Sequence, residues 1–258
     1  MRLFILVAAL AGLLGLASPA AAAPAKATVV LVHGAFADSS SWDGVMGELT
    51  RDGYRVVAAA NPLRGAASDA AYVATVLRSV DGPVVLVGHS YGGTVITQAA
   101  VGASNVKGLI YVSAFAPDVG ETSFGLAGKF PGATLGAALA PPVNLPTGGQ
   151  DLYIQQDRFP AQFAADVPLA KAKLMAAGQR PITQAAGDEK VAQAGWKTIP
   201  SWFIYGSADL NIPPAAMAFM AERAQARKVV VVPGASHVVM VSHPHEVAAL
   251  IEAAAQSQ

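Results

Sequence analysis

Six short apolar runs alternate with amphipathic stretches along most of this chain. The runs are rich in Val, Ile and aromatic residues, and strands are predicted at Thr28–Val32, Arg55–Ala59, Pro83–Val87, Gly108–Val112, Trp202–Tyr205 and Lys228–Val232. Helices are predicted at Trp42–Arg51, Ser68–Ser79, Thr94–Ala103, Ala215–Ala226 and Pro244–Ala255. Continuous apolar strands that alternate with helices indicate an α/β fold, with a central six-stranded, mostly parallel sheet covered by helices on both faces.

One long segment interrupts this alternation after the fourth predicted strand. Residues 117–197 are rich in Pro, Gly and Ala and contain no strand-like apolar run. Helical patches are predicted at Gln162–Ala177 and Asp188–Ala194. Because an insertion at this place would lie over one end of the sheet, residues 26–258 are predicted to form a single domain with a small cap at about 117–197.

The first 25 residues have the organisation of a secretory signal peptide. Met1-Arg2 supplies a positive start, Leu3–Leu16 is an apolar run, and small residues follow up to Ala25. A membrane anchor is the alternative, but spanning a bilayer takes about 20 apolar residues and Pro19 interrupts the run. We therefore expect a secreted or periplasmic protein that is cleaved after Ala22 or after Ala25 and has no stable membrane insertion afterwards.

Composition and charge exclude several classes of function. The chain has 17 basic and 17 acidic residues and no Lys/Arg run, so no nucleic-acid partner is expected. Its 53% hydrophobic and 13% charged residues are the reverse of a disordered composition and allow a sizeable core. The absence of cysteine excludes disulfides and thiolate catalysis. The five histidines lack the spacing of a metal site, so no metal is expected.

The sequence Gly88-His-Ser-Tyr-Gly92 directly follows the third predicted strand and precedes a predicted helix. A turn this tight strains the backbone of its central residue, and glycine on both flanks removes Cβ atoms that would clash. The turn thereby raises the hydroxyl of Ser90 clear of the sheet, where a substrate can reach it. We predict that Ser90 is a catalytic nucleophile.

Two further polar side chains, Asp209 and His237, come shortly after the fifth and sixth predicted strands. The carboxyl ends of parallel strands meet at one edge of a sheet, which is where ligands bind in such folds. A serine hydroxyl needs an imidazole to take its proton and a carboxylate to orient that imidazole. Ser90, Asp209 and His237 are therefore the predicted catalytic triad. Asp118, which follows the fourth strand, is an alternative acid.

The loop His33-Gly-Ala-Phe36 follows the first predicted strand and is a candidate for part of an oxyanion hole. Ester cleavage places negative charge on the former carbonyl oxygen, and preorganised backbone N–H groups stabilise that charge. One donor is predicted to be the N–H of Tyr91, which follows the nucleophile. The second is predicted to be the N–H of Ala35, with Phe36 as the alternative.

These motifs resemble those of the α/β-hydrolases, and the resemblance extends from Thr28 to about Ala255. The matching segments are His33–Phe36, Gly88–Gly93, Gly206–Asp209 and Gly234–His237. More narrowly, Tyr111–Asp118 and Ile199–Ile204 resemble the compact branch that holds plant methylesterases, hydroxynitrile lyases and their bacterial esterase relatives. The resemblance implies the α/β-hydrolase fold, here with six parallel strands and a cap after the fourth strand.

Three positions distinguish the chain from other enzymes of that fold. Hydroxynitrile lyases carry a Lys directly after the catalytic His and a Thr after the first loop His, where this chain has Val238 and Gly34. The resemblance therefore does not extend to cyanohydrin cleavage. Epoxide hydrolases and dehalogenases use an Asp nucleophile, where this chain has Ser90.

The predicted function is a secreted serine carboxylesterase that cleaves small to medium uncharged esters through an acyl-enzyme on Ser90, a reaction for which no cofactor is expected. The residues predicted to line the substrate pocket are apolar: Phe36, Phe124, Phe130, Phe159 and Val238. Two alternatives stay open, a cofactor-free perhydrolase or haloperoxidase that uses the same triad, and a non-catalytic ligand binder on the same scaffold. The oligomeric state is not predicted.

Overall fold

A computed structural model describes residues 26–146 and 148–257. The predicted signal peptide, residues 1–25, lies outside the described residues. No helix in the part of the chain that the structure describes is long and apolar enough to cross a membrane.

The described residues contain nine strands, six in a large sheet and three in a small one. In chain order they are β1 (Thr28–Val32), β2 (Val56–Ala59), β3 (Val84–His89), β4 (Val106–Val112), β5 (Val143–Asn144), β6 (Gln150–Leu152), β7 (Ile182–Thr183), β8 (Ser201–Gly206) and β9 (Lys228–Val232).

The large sheet has the strand order β2-β1-β3-β4-β8-β9, and every neighbouring pair is parallel. This arrangement confirms the predicted fold class. The chain leaves β1 toward β2 on one side and returns to β3 on the other, so strand order reverses at β1. The loops that follow β1 and β3 are therefore neighbours at the carboxyl edge, which is the usual place of a ligand site.

The four central strands form the core of the sheet. Apart from Lys107, every residue of β1, β3, β4 and β8 is buried, including the side chains on both faces. Burying a Val, Leu or Ile side chain stabilises a fold by about 1.5–3 kcal/mol. These apolar runs therefore fix the positions of the carboxyl ends of the central strands.

The edge strand β9 differs from its prediction as a strand buried on both faces. Val229 and Val231 are exposed, and only Val232 is buried. An edge strand has one neighbour, so a continuous apolar run does not by itself guarantee burial.

The described residues form eleven α-helices and two short 3₁₀-helices, the latter at Ser39–Trp42 and Gly195–Lys197. The α-helices are α1 (Asp43–Arg51), α2 (Ala66–Arg78), α3 (Tyr91–Ala99), α4 (Ser123–Ala127), α5 (Leu135–Ala138), α6 (Phe159–Phe163), α7 (Leu169–Gly178), α8 (Gln184–Asp188), α9 (Pro214–Arg223), α10 (Val239–Ser242) and α11 (Pro244–Gln256). Helices α1, α10 and α11 form one packed group, α2 and α3 form another, and both groups contact the central strands.

The segment 117–197, between β4 and β8, contains two features that the sequence patterns did not predict. It carries the small antiparallel sheet β5-β6-β7, although no strand was expected there. These strands have two or three residues each, too few for an apolar periodicity to develop.

The helical patches of the same segment also differ from prediction. The patch predicted at Gln162–Ala177 is two helices, α6 and α7, because the backbone leaves the helical conformation at Ala164 and α7 begins only after Pro168, its N-cap residue. The patch predicted at Asp188–Ala194 is wrong, since α8 ends at Asp188 and the residues up to Ala194 are not helical.

Candidate active site

Ser90 lies in the sharp turn between β3, which ends at His89, and α3, which begins at Tyr91. Its φ is +52°, a left-handed conformation that is costly for a residue with a side chain. The turn is held by close packing, because a Cβ atom on Gly92 would lie 2.4 Å from the carbonyl oxygen of Val32. Helix α3 therefore begins directly against the end of β1, as the glycine-flanked motif predicts.

The structure brings Ser90, His237 and Asp209 into one chain of hydrogen bonds. Nε2 of His237 lies 2.9 Å from Oγ of Ser90, and Nδ1 of His237 lies 2.7 Å from Oδ2 of Asp209. A carboxylate can only accept, so Nδ1 carries the hydrogen and Nε2 is free to accept the serine proton. This is the tautomer that a general base requires.

The carboxylate of Asp209 is fully buried and is held by its own loop. Its Oδ1 accepts hydrogen bonds from the backbone N–H groups of Asn211 at 2.8 Å and Ile212 at 3.0 Å. Its Oδ2 accepts the hydrogen bond from His237, so both oxygens are used. These donors compensate for the loss of hydration of a buried negative charge and fix the direction of Oδ2.

His89 lies beside His237, with 4.8 Å between the two ring centroids. Burial holds the pKa of His89 well below its ordinary value, so the ring is neutral at pH 7. Its Nε2 donates to the backbone oxygen of His237 at 3.2 Å, because a carbonyl oxygen can only accept. A neutral neighbour does not oppose the positive charge that His237 gains as a base.

The loop after β1 packs directly against Ser90. A Cβ atom on Gly34 would lie 2.6 Å from Cβ of Ser90, so only glycine allows this approach. The N–H of Phe36 donates to the backbone oxygen of Arg180 at 2.8 Å and is already used. The N–H of Ala35 has no acceptor among the described residues, which leaves it, rather than Phe36, as the candidate oxyanion donor from this loop.

The second candidate donor is the N–H of Tyr91. As the first residue of α3 it has no intrahelical acceptor, and the positive end of the helix dipole lies at the same place. Ala35 and Tyr91 both line the small cavity that Ser90 and His237 face. The two predicted donors are therefore on the same cavity wall as the nucleophile.

Two adjoining cavities lie between the sheet edge and residues 117–197. The cavity at Ser90 has a volume of about 30 Å³, and the larger one has a volume of about 310 Å³. They share a wall made of Phe36, Phe124, Ala127, Leu135 and Asn211. No charged side chain lines either cavity among the described residues.

The structure brings only part of the predicted substrate lining to these cavities. Phe36 and Phe124 line both of them. Phe130 instead packs against Phe219, Phe159 is fully buried against Phe163, and Val238 is fully buried; none of these three lines either cavity. At these positions the apolar side chains pack in the core or against it, and their apolar character alone does not distinguish that role from a lining role.

Asp118, the alternative acid of the predicted triad, lies away from His237. Its carboxylate forms an ion pair with Lys197, and its side chain is 30% exposed. The structure gives it no contact with His237, whose Nδ1 is bonded to Asp209.

Helix α6, which is part of segment 117–197, is hydrogen-bonded to the loop that contains Asp209 (residues 207–213, the Asp209 loop). The bonds are made by the amide side chains of Gln162 and Asn211. Nε2 of Gln162 donates to Oδ1 of Asn211 at 3.2 Å and to the backbone oxygen of Leu210 at 3.0 Å. Nδ2 of Asn211 donates to the backbone oxygen of Gln162 at 3.0 Å. Gln162 therefore holds the residues that follow Asp209.

The same helix also contacts the loop that contains Ser236 and His237. The ring of Phe163 lies edge-on to His237, with 5.0 Å between centroids. Oγ of Ser236 donates to a carboxylate oxygen of Asp166, just beyond α6. Both loops of the relay are thus in contact with one short helix.

Sequence reasoning missed Asn211 and Gln162. The sequence around Asn211 does contain a signal. An Asp side chain commonly forms a turn by accepting a hydrogen bond from the backbone N–H two residues later, and Asn211 stands two residues after Asp209. Gln162 had none, because its partner is 49 residues away in the chain.

No group of three or more His, Asp or Glu side chains among the described residues is arranged to hold a metal ion.

Comparison with known proteins gives matches at the levels of family, sequence and fold. The sequence pattern of a family described as "Alpha/beta hydrolase family" matches residues 29–250. A "Carbendazim hydrolyzing esterase" of Nocardioides sp. (strain SG-4G) is 33% identical over 119 residues, 40% of this chain and 48% of that protein. The match thus spans about half the length of this curated relative.

Solved structures with the same fold cover almost all of the described residues. Polyneuridine aldehyde esterase has a TM-score of 0.77 at 20% identity, over 89% of this chain and 99% of its own. A pyrethroid hydrolase from Sphingobium faniae JZ-2 has a TM-score of 0.71 at 23% identity, over 90% and 98%. At these identities the likeness shows the fold, and together with the family match it confirms the resemblance that the sequence motifs indicate.

Proposed function

The chain belongs to the alpha/beta hydrolase family, and from this premise we propose that it is a serine carboxylesterase that acts through an acyl-enzyme on Ser90. The observation that carries the proposal is the hydrogen-bonded relay from Ser90 through His237 to Asp209, with distances of 2.9 and 2.7 Å. The esterase activity named for the partly matching Nocardioides relative supports the same class of reaction.

In the acylation step, Oγ of Ser90 attacks the ester carbonyl while Nε2 of His237 takes its proton. Asp209 stabilises the imidazolium that forms, and the N–H groups of Ala35 and Tyr91 donate to the oxyanion. The imidazolium then protonates the leaving alcohol as the ester C–O bond breaks. This leaves an acyl group on Ser90 and a neutral His237.

Deacylation repeats the sequence with water as the nucleophile. His237 takes a proton from water, which attacks the acyl carbonyl, and then returns the proton to Oγ of Ser90. The neutral state of His89 matters in both steps, because a second positive charge 4.8 Å away would disfavour the imidazolium.

The chemistry of the cavity walls supports an uncharged substrate. The walls are mainly apolar, and the polar groups beside Ser90 and His237 are Tyr91, Ser123 and Asn211. A carboxylate or ammonium group placed there would lose its hydration without a counter-charge.

The proposal is tested by replacing the nucleophile. Ser90→Ala is expected to lower kcat for p-nitrophenyl butyrate by a factor on the order of 10⁴–10⁶ and to abolish labelling by a fluorophosphonate. Ser201→Ala is the matched control, because it also removes a buried hydroxyl, one that has no hydrogen-bond partner among the described residues. Full activity in Ser90→Ala, or labelling at another residue, would contradict the proposal.

We also propose that residues 1–25 direct export, so that the enzyme meets its substrate outside the cytoplasm. The chain expressed from Met1 in a bacterial host is expected to appear outside the cytoplasm with a new N-terminus at Ala23 or Lys26. N-terminal sequencing of the exported protein checks this. An intact N-terminus on exported protein, or no export, would contradict it.

A further inference from the structure

Phe124 of α4 lies at the junction of the two cavities. Its ring is part of the wall shared by the cavity of about 30 Å³ at Ser90 and the cavity of about 310 Å³ beyond it. An ester whose carbonyl lies at Ser90 exceeds the small cavity as soon as it carries an extended group. Such a group has to pass Phe124 to reach the larger space.

The other side of the Phe124 ring rests on the backbone of Gly187 in α8. A Cβ atom on Gly187 would lie 2.2 Å from Cε2 and from Cζ of the ring, and 2.5 Å from Cδ2. These distances are far below van der Waals contact, so the ring occupies the space that any other residue at position 187 would need. The absence of a side chain at Gly187 therefore determines how far the ring sits from the cavities.

The backbone of α4 is anchored independently of this contact. Oγ of Ser123 is 2.8 Å from Oγ1 of Thr94 in α3, the helix that follows the nucleophile. Oγ1 of Thr122 caps α4 by accepting from the N–H of Gly125 at 2.9 Å. Because the helix is held at its start, a larger residue at position 187 would be accommodated mainly by rotation of the Phe124 ring, whose open side is the cavity.

We propose that the pair Phe124–Gly187 sets the length of the apolar group that this site accepts, and that the substrates are uncharged esters with one extended apolar group. The larger cavity supports this class, because most of its lining is apolar: Phe36, Phe124, Ala127, Ala133, Leu135, Leu139 and Leu152. The inference rests on the proposed esterase function and specifies its substrate class.

The experiment compares wild type, Gly187→Ala, Phe124→Leu and the double variant on two series of esters. One series is p-nitrophenyl acetate to octanoate, which lengthens the acyl group, and the other is ethyl to octyl acetate, which lengthens the alcohol. In wild type, at least one series is expected to retain its kcat/KM up to the longest member. Gly187→Ala is expected to lower kcat/KM for the longest member about tenfold relative to the shortest.

The double variant distinguishes a displaced ring from general damage to the fold. The smaller Leu side chain relieves the clash, so Gly187→Ala with Phe124→Leu is expected to restore the ratio of long to short esters. Gly178→Ala is the matched control, since it also adds a methyl group to a helical glycine of segment 117–197 but has nothing within 4 Å. Phe124→Leu alone should raise the ratio, which keeps the test valid if Gly187→Ala folds poorly.

The outcomes separate this inference from the esterase proposal. An unchanged ratio in Gly187→Ala or in Phe124→Leu, or no restoration in the double variant, overturns the inference, while fluorophosphonate labelling of Ser90 in the same samples leaves the esterase function standing. Absence of both turnover and labelling in wild type overturns both.

Discussion

The two sides of the active site are packed by different kinds of close contact. On the sheet side, the space that a Cβ atom on Gly92 would need is occupied by backbone, the carbonyl oxygen of Val32 at 2.4 Å. On the side of segment 117–197, the space beside Gly187 is occupied by a side chain, the ring of Phe124 at 2.2 Å. Backbone in a buried sheet cannot move away, whereas a ring can rotate. The position of Ser90 is therefore fixed by backbone contacts that cannot adjust. The shape of the substrate pocket depends instead on a side-chain contact that a single substitution can change.

The largest effect is expected from the backbone contact. Gly92→Ala should lower the free energy of unfolding by about 3 kcal/mol, because β1 and α3 must separate. It should also lower kcat about 100-fold or more, since a shift near 1 Å displaces Ser90 and the N–H of Tyr91 from the substrate. Urea unfolding and ester kinetics measure the two effects.

Gly178→Ala provides the reference for that variant. Its added methyl group meets nothing within 4 Å, so a stabilisation of up to about 1 kcal/mol and unchanged kcat are expected. If Gly92→Ala behaves like Gly178→Ala, the contrast between the two sides of the site is wrong.

An intermediate effect is expected where the two sides meet, at Gln162. Gln162→Met keeps the length of the side chain and removes the hydrogen bonds to Leu210 and Asn211 that hold the loop of Asp209. We expect kcat to fall about three- to tenfold with little change in KM, because neutral hydrogen bonds contribute about 0.5–1.5 kcal/mol each. Steady-state kinetics with p-nitrophenyl butyrate check this.

Gln98→Met is the matched control for Gln162→Met. Gln98 on α3 likewise joins segment 117–197 to the rest of the domain, because its Oε1 accepts from the N–H of Ala192 at 3.1 Å. It makes no hydrogen bond to the Asp209 loop. Equal losses of kcat in both variants would show that any hydrogen bond between segment 117–197 and the rest of the domain affects kcat to the same extent. Helix α6 would then have no special role in orienting Asp209.

A second connection between the two sides runs through Asp69, which is fully buried. Its carboxylate accepts from the Tyr91 hydroxyl at 2.8 Å and from the N–H of Arg64 at 3.1 Å. The guanidinium of Arg64 in turn forms an ion pair with Asp151 of the small sheet. Burial raises the pKa of Asp69 above its ordinary value of 3.8, even though the hydrogen bonds oppose the shift.

The smallest effect is expected from Asp69→Asn and appears as a dependence on pH. Since folding raises the pKa of Asp69, its contribution to stability is full below pH 3.8 and is lost as the pH rises through the folded pKa. Asn does not titrate, so the stability of Asp69→Asn relative to wild type should increase between pH 4 and pH 7. Urea unfolding at both pH values measures the difference, and a constant or falling difference would contradict the prediction.

The parts of the fold that followed from the sequence are those that local patterns encode. Continuous apolar runs predicted all six strands of the large sheet, because the four central strands are buried on both faces and need apolar side chains along their length; the edge strand β9 has the same pattern although it is mostly exposed. Gly88 and Gly92 predicted the turn at Ser90. A Cβ atom at position 88 would lie 2.6 Å from the carbonyl oxygen of Gly92, and one at position 92 would lie 2.4 Å from that of Val32, so neither position tolerates a side chain. The small sheet was missed, because strands of two or three residues carry too little pattern. The break between α6 and α7 was also missed, although Pro168 is a local signal against a continuous helix.

What the sequence by itself determined was the set of three side chains beyond β3, β8 and β9, since Ser90 directly follows an apolar strand and Asp209 and His237 come shortly after one. Only the tertiary structure favours Ala35 over Phe36 as the candidate oxyanion donor, because the Phe36 N–H donates to the backbone oxygen of Arg180, 144 positions along the chain. It alone also paired Gln162 with Asn211 and Gly187 with Phe124. Such contacts depend on how distant segments pack, and the free energy of packing leaves no local signature in the order of residues.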